Sequence, residues 1–369
     1  MKIKKITSIL LCLAVLTGCS ADGDTVDTTG TGKTIKIAVL KNSCSQQVFF
    51  EKGVERAYKD VLEEYKDSGF DIQCDFYDKT NTYESVDKLT KELVKDKQLT
   101  AIIGSDNPEI ARSQLYAAQK KGKILISPGR MYDDEMTVNN DLGFYMSYIA
   151  QDIGDLMIKI SGTLPDVKWA VCTANDKISR QETQGFRSTD PAIVMDYVNT
   201  DELNVYFDRI ILRWKNLGIK GVVMAPRSDE GVELIYRLKK EIPDLYVITD
   251  SDMDNQHEYI EHKELYNNFY IADIFSVDKS EAEYVEYTEK TGKFEDTWET
   301  HGYNSFRMIV DTAVQNDTSN PTRIAKILHT SGYKGKGETF NFEKNGTLIP
   351  EHFRYVDMGN SETKFLPAE

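Results

Sequence analysis

Short apolar runs alternate with amphipathic stretches along almost the whole chain, and that alternation limits the fold more than any other feature. The runs "TIKIAVL" (34–40), "FDIQCDFYD" (70–78), "LTAIIGS" (99–105) and "KILISPG" (123–129) have strand length and β-branched character. Between the first two, "VFFEKGVERAYKDVLEEY" (48–65) sets Phe50, Val54, Ala57, Val61 and Tyr65 at the helical period. "YESVDKLTKELVKDK" (83–97) turns Val86, Leu89 and Leu93 inward. "PEIARSQLYAAQKKG" (108–122) has Asn107 as its cap and Pro108 in its first turn. Strands that alternate with helices build a parallel sheet with helices on both faces.

The pattern then restarts. "VKWAVCT" (167–173), "AIVMDYV" (192–198), "KGVVMAP" (220–226), "LYVITD" (245–250) and "FYIADIF" (269–275) read as strands, with helices over 202–218 and 230–242. Two similar α/β lobes follow each other. "TFNFEKNGTLIPEHFRYVDM" (339–358) reads as a hairpin, because Asn-Gly is the strongest short-range turn signal.

The N-terminus belongs to neither lobe. Lys2, Lys4 and Lys5 precede an apolar run from Ile6 to Leu16, far short of the roughly 20 residues a membrane-spanning helix needs. A basic head, a short apolar run and small residues make a secretory signal, here residues 1–18. Leu16-Thr17-Gly18-Cys19 resembles the lipobox of bacterial lipoproteins, in which the cysteine becomes the lipidated N-terminus. Residues 19–33 form a polar tether too poor in apolar groups to order itself. Its end, Gly30-Thr-Gly32-Lys33-Thr34, imitates a phosphate-binding loop. That reading fails, because Asp27 stands where the leading glycine belongs and the motif precedes a strand instead of following one.

Composition narrows the function. The 369 residues carry a net charge of −15, and loss of the three leader lysines takes it to −18. Such a surface argues against nucleic acid and against electrostatic membrane adhesion. With Cys19 lipidated, Cys44, Cys74 and Cys172 allow at most one disulfide and have no zinc spacing. They read as small buried hydrophobes, with a Cys44–Cys74 bridge open but not favoured. The five histidines form no metalloprotease motif, and no Gly-x-Ser-x-Gly elbow occurs, so no enzyme is expected. Asp250, Asp252, Asp254 and Glu261 copy the acids of a calcium loop. Asn255 replaces its glycine and a strand precedes it, so the stretch reads as a solvated acidic loop and no metal is expected.

In order and spacing, five segments carry a resemblance to the type I periplasmic (solute) binding proteins, the branch with the leucine/isoleucine/valine-binding proteins of ABC importers. They are "IKIAVL", "QLTAIIGSDNPEIARS…AAQKKGKILISPG", "GFYMSYIAQDIGDLMIKI", "THGYNSFRMIVDTAVQ" and "RIAKILHTSGYKGKGETFNFEKNGTLI". The resemblance covers nearly all of 34–369. It implies two Rossmann-like three-layer lobes joined by a three-strand hinge, near 144–147, 275–277 and 333–339. The lobes would be 34–146 plus 277–325 and 147–276 plus 326–369. It implies an extracytoplasmic, lipid-anchored protein that closes on a small polar ligand, amino-acid-like or anionic, and hands it to an ABC permease, with no cofactor. A ligand-sensing or adhesion lipoprotein on the same fold is the alternative.

Ligands in open α/β sheets sit beyond the carboxyl ends of the strands. The candidate contacts there are Ser43, Ser45, Asp106, Asn107, Gly129, Arg130, Asn175, Asp176, Arg227, Ser228, Asp250 and Asp252. Arg130 and Arg227 fall in opposing loops, where a guanidinium fork from each lobe would grip an anion. The resemblance also shows departures. The serine and threonine that hold the ligand carboxylate in amino-acid-binding relatives correspond to Pro108 and Met131, which donate no hydrogen bond. Their tyrosine corresponds to Arg227. Their ammonium-binding acid falls near Ser251, beside Asp250 and Asp252.

Overall fold

A computed structural model describes residues 33–40, 45–77, 83–129, 140–188, 193–225, 228–251, 265–273 and 275–368. Lys33–Glu369 forms one compact unit.

The first sheet contains β1 (Lys33–Leu40), β2 (Phe70–Tyr77), β3 (Leu99–Ile103), β4 (Ile124–Ser127) and β5 (Gly143–Tyr145), in the order β2-β1-β3-β4-β5 and parallel throughout. Its inner strands β3 and β4 are unbroken apolar runs because both faces are covered, whereas the edge strand β2 is mostly half-buried. Ile35, Ile37 and Val39 of β1 face a core shared with α1 (Ser45–Glu64) and α10 (Thr297–Gln315). Ala38 and Leu40 face the opposite core, under α2 (Tyr83–Leu93) and α3 (Pro108–Gln119). The helices α1 and α10 approach so closely that a Cβ on Gly53 would lie 2.0 Å from the Glu299 carbonyl, and one on Gly302 would lie 2.1 Å from that of Phe50. Only glycine fits at either position.

The second sheet repeats the plan. Its strands β6 (Lys168–Thr173), β7 (Val194–Asn199), β8 (Ile219–Ala225), β9 (Tyr246–Asp250) and β10 (Phe269–Ala272) lie in the parallel order β10-β9-β8-β6-β7. The antiparallel strands β13 (His352–Asp357) and β14 (Glu362–Pro367) extend it beyond β10. On one face lie α7 (Phe207–Leu217) and α8 (Ser228–Glu241), around Trp214, Leu234 and Leu238. On the other lies α4 (Ala150–Gly162). The helix expected over 202–218 is broken: α6 (Thr200–Val205) ends and α7 begins around Tyr206, whose φ of −113° and ψ of 31° leave the helical region.

Late in the chain, α9 (Ala282–Thr291), α10 and α11 (Pro321–Ser331) precede a two-stranded ribbon of β11 (Tyr333–Lys334) and β12 (Thr339–Phe340). A buried polar network ties this region to α1. Asp311 accepts from the hydroxyls of Tyr65 (2.9 Å) and Tyr333 (2.8 Å) and from Arg307 Nε (2.9 Å), while Arg307 also reaches Glu64.

The hairpin expected over 339–358 forms differently. The Asn345-Gly346 turn closes, with Gly346 N donating to Glu343 O at 2.9 Å, but its arms share only the bridge Phe342–Leu348. Strand pairing resumes at His352, after Pro350, with β14 as the partner. The segment expected to leave the first lobe at 333–339 keeps its contacts there. Asn140 Nδ2 donates to Asn345 O (2.7 Å), Tyr145 N donates to Gly346 O (2.9 Å), and the rings of His329 (tilted) and Phe342 (edge-on) each lie 4.8 Å from that of Phe144. Asn304 grips Lys336 through both its main-chain groups, and Glu338 meets His301. The chain thus passes between the sheets after residues 145, 272 and 348. Tyr148 marks that junction: its hydroxyl donates to His352 O (3.2 Å), bonds with Ser276, and its ring packs edge-on against Phe353.

Candidate functional site

Both sheets have the order 2-1-3-4-5, so each has a topological switch point between its first and third strands, the place where an open α/β sheet opens a crevice. In the first sheet that place is at the carboxyl ends of β1 and β3, and in the second at the carboxyl ends of β6 and β8.

In the first lobe the candidate polar residues hold the loops. Asn107 Oδ1 accepts from Glu109 N (3.0 Å) and Ile110 N (3.1 Å) and caps α3. Pro108 is buried at the first position of that helix, where its missing N–H costs nothing. Ser105 Oγ accepts from Asn107 N (3.0 Å), and Ser127 Oγ donates to Ser105 O (2.9 Å). Gly129 is buried against the main chain of Asp106, and a Cβ there would lie 1.8 Å from the Asp106 carbonyl oxygen. The structure therefore brings Asp106, Asn107 and Gly129 together as a braced pair of loops.

In the second lobe the segment after β6 opens a cavity of about 260 Å³ at the carboxyl ends of β6 and β7. Thr173, Asn175, Arg180, Thr183, Tyr197 and Asn199 provide its polar lining, over an apolar floor of Val171, Ala174 and Val198. Asp176 caps α5 (Lys177–Glu182), accepting from Ser179 N (2.9 Å) and Ser179 Oγ (2.8 Å). That cap turns the short helix back over the sheet and sets Arg180 beside Asn175, whose Oδ1 accepts from the guanidinium at 3.2 Å. Asn199 Oδ1 accepts from Asp201 N (2.8 Å) and caps α6. Tyr197 donates to Phe186 O (2.6 Å).

Asp250 ends β9 and is buried, with Ser251 buried after it. The Ser251 hydroxyl has no hydrogen-bond partner among the described residues. Ser45 and Ser228 open α1 and α8. Ser43, Arg130, Met131, Arg227, Asp252 and the rest of the acidic stretch to Glu261 lie outside the described residues, as do Cys19 and Cys44. The sequence reading missed Arg180, Tyr197 and Asn199. It stopped at the strand-to-helix loop, whereas these residues lie one turn into α5 and along the edge strand β7. The spacing from the Asp176 cap to Arg180 was the available signal.

The two described cysteines are thiols. Burial pushes Cys74 and Cys172 up to about 12, which removes them as nucleophiles. Among the described residues no cluster of His, Cys, Asp and Glu has the make-up of a metal site, and no helix is long and apolar enough to cross a membrane.

No protein-family model and no curated protein sequence matches the chain. Solved structures do match. The branched-chain amino acid transporter substrate binding protein LivJ from Streptococcus pneumoniae, in complex with isoleucine, has a TM-score of 0.74 at 17% identity, over 91% of this chain and 100% of that one. An ABC transporter substrate-binding protein from Desulfitobacterium hafniense, in complex with Leu, has a TM-score of 0.73 at 16% identity, over 90% and 99%. A solute binding protein of an ABC transporter from R. palustris, in complex with benzoate, has a TM-score of 0.67 at 13% identity, over 91% and 96%. The order of elements, the two sheets of like topology and the full-length coverage agree: this chain has the type I periplasmic binding protein fold.

Proposed function

We propose that the protein is an extracytoplasmic solute-binding lipoprotein, anchored through Cys19, that captures a small polar ligand between its lobes and passes it to an ABC importer. The observation that carries this reading is the full-length likeness to substrate-binding proteins of ABC transporters, three of which hold Leu, isoleucine or benzoate. The cavity at the carboxyl end of β6 supports it, since ligands of open α/β sheets lie at such ends. The N-terminal sequence supports the anchor and the compartment. We assign 33–145 and 275–348 to the first lobe and 149–273 and 352–368 to the second, with closure by hinge motion at the three passages around Tyr148. Binding and hand-over require no catalysis.

One observation favours a second reading, a sensing or adhesion lipoprotein on the same fold. The first-lobe groups expected at a ligand, Asn107 and Gly129, are spent on a helix cap and a main-chain contact. The test that separates the readings is uptake in cells that lack the protein. Loss of uptake of the solute it binds, restored by the full chain and weakened by Cys19→Ala, is the result expected of a transport component. Intact uptake beside intact binding would favour the sensor.

A further inference from the structure

The cavity at the ends of β6 and β7 has a polarity that the rest of the molecule does not share. The chain has 60 acidic and 45 basic residues, yet among the described residues no carboxylate lines this cavity, and the one charged group that does is the Arg180 guanidinium. Three acids adjoin the lining residues in sequence: Asp176 has both oxygens engaged by Ser179, Asp196 meets Trp214 and Arg213, and Glu182 is fully buried and does not line the cavity. The two asparagines add to the bias. Asn175 turns its carbonyl oxygen to Arg180, and Asn199 turns its own to Asp201 N. Each donor can be met only by an amide oxygen, so the orientation of both side chains is fixed and what each has left is an NH2 group. Arg180 meets one neutral acceptor, which does not neutralise its charge. A guanidinium and two amide NH2 groups around about 260 Å³ make a donor-rich cavity with no carboxylate among its described lining residues.

We infer that this cavity receives the anionic head of the ligand, the oxygens of a carboxylate or a phosphate, with Arg180 as the charge that selects it. The inference rests on the solute-binding reading and deepens it by assigning the charge of the ligand. A forked guanidinium matches two oxygens of one anion, which a lysine ammonium does not. Thr173 and Thr183 donate their hydroxyl protons to Ala174 O and Ser179 O and so compete for neither oxygen.

The test is isothermal calorimetry on the compact unit Lys33–Glu369 with matched acids and amides: leucine and leucinamide, benzoate and benzamide, succinate and succinamide, with inorganic phosphate as a separate arm. The expected result is binding of at least one acid and at least tenfold weaker binding of its amide. Arg180→Gln weakens that acid at least tenfold and Arg180→Lys weakens it less, with unchanged circular dichroism in both. Binding of phosphate in place of every carboxylate, lost in Arg180→Gln, identifies the head as a phosphate. An amide that binds as well as its acid, or an Arg180→Gln protein with an unchanged Kd, overturns the assignment of Arg180 and leaves the solute-binding reading standing. A folded wild-type protein that binds no probe overturns the solute-binding reading, and this inference with it. Arg180 is exposed, so Arg180→Gln is expected to fold.

Discussion

The loops after β3 and β4 and the loop after β6 all leave the carboxyl ends of strands in two sheets of the same topology, yet they use their polar residues differently. The first-lobe loops bond to themselves: Asn107 to the α3 amides, Ser127 to Ser105, Gly129 to the Asp106 main chain. The second-lobe loop leaves Asn175 exposed over a cavity and directs Arg180 onto it. One lobe has its rim as structure and the other as a surface. Topology alone thus locates a crevice without saying which side chains face a ligand. Substitutions on the two rims should accordingly fail in different measurements.

The largest effect belongs to Gly129→Ala. The new methyl has to push apart two main chains, and such overpacking costs about 1–3 kcal/mol. Denaturant unfolding should show the loss, and a stability equal to wild type would mean that the β3 and β4 loops are not braced as described. Asn107→Ala removes a cap with two hydrogen bonds and should cost about 1 kcal/mol in the same assay.

The third effect depends on pH and lies on the first-lobe side, behind β5. His329 packs against Phe144, and burial holds its imidazole below the ordinary 6.5, against the pull of Asp141. As pH falls through 6.5 the unfolded chain takes up this proton before the folded one. Stability from this group is therefore full above 6.5, falls as pH drops below it, and levels off below the folded value. In His329→Gln the fall in unfolding midpoint between pH 7 and 5 should be shallower than in wild type, and an unchanged slope would contradict the burial.

Asn175→Ala should have the smallest effect on stability, within about 0.5 kcal/mol, because it is exposed and holds only Arg180. Ligand affinity should instead fall several-fold. If Asn175→Ala destabilised the protein as much as Asn107→Ala, the contrast between the rims would disappear.

The inner parallel strands were legible because burial on both faces makes them nearly unbroken apolar runs, as in "LTAII" and "VVMA". Where packing decides the matter, the signal was missing. β14, "ETKFLP", lies at the edge of its sheet with a half-exposed, polar pattern, and only its pairing to β13 makes it a strand. β11 and β12 are two residues each, too short for any periodicity. The break at Tyr206 has neither glycine nor proline to announce it. The turn at Asn345-Gly346 was correct, but its strands were not, since first-lobe contacts to Asn140 and Tyr145 hold that segment. At the site, the loop positions followed from topology. Arg180 did not, because its place depends on how the Asp176 cap turns a six-residue helix.

The most direct test of solute capture is thermal unfolding of Lys33–Glu369 against rising concentrations of leucine, isoleucine, benzoate, succinate and phosphate. A ligand at a hundred times its Kd adds roughly 2.7 kcal/mol to a fold it binds only when native. Solute capture gives a midpoint that climbs with the logarithm of concentration for at least one of these anion-bearing solutes and not for its uncharged analogue. A flat midpoint with every one of them, in protein that unfolds cooperatively, would contradict it.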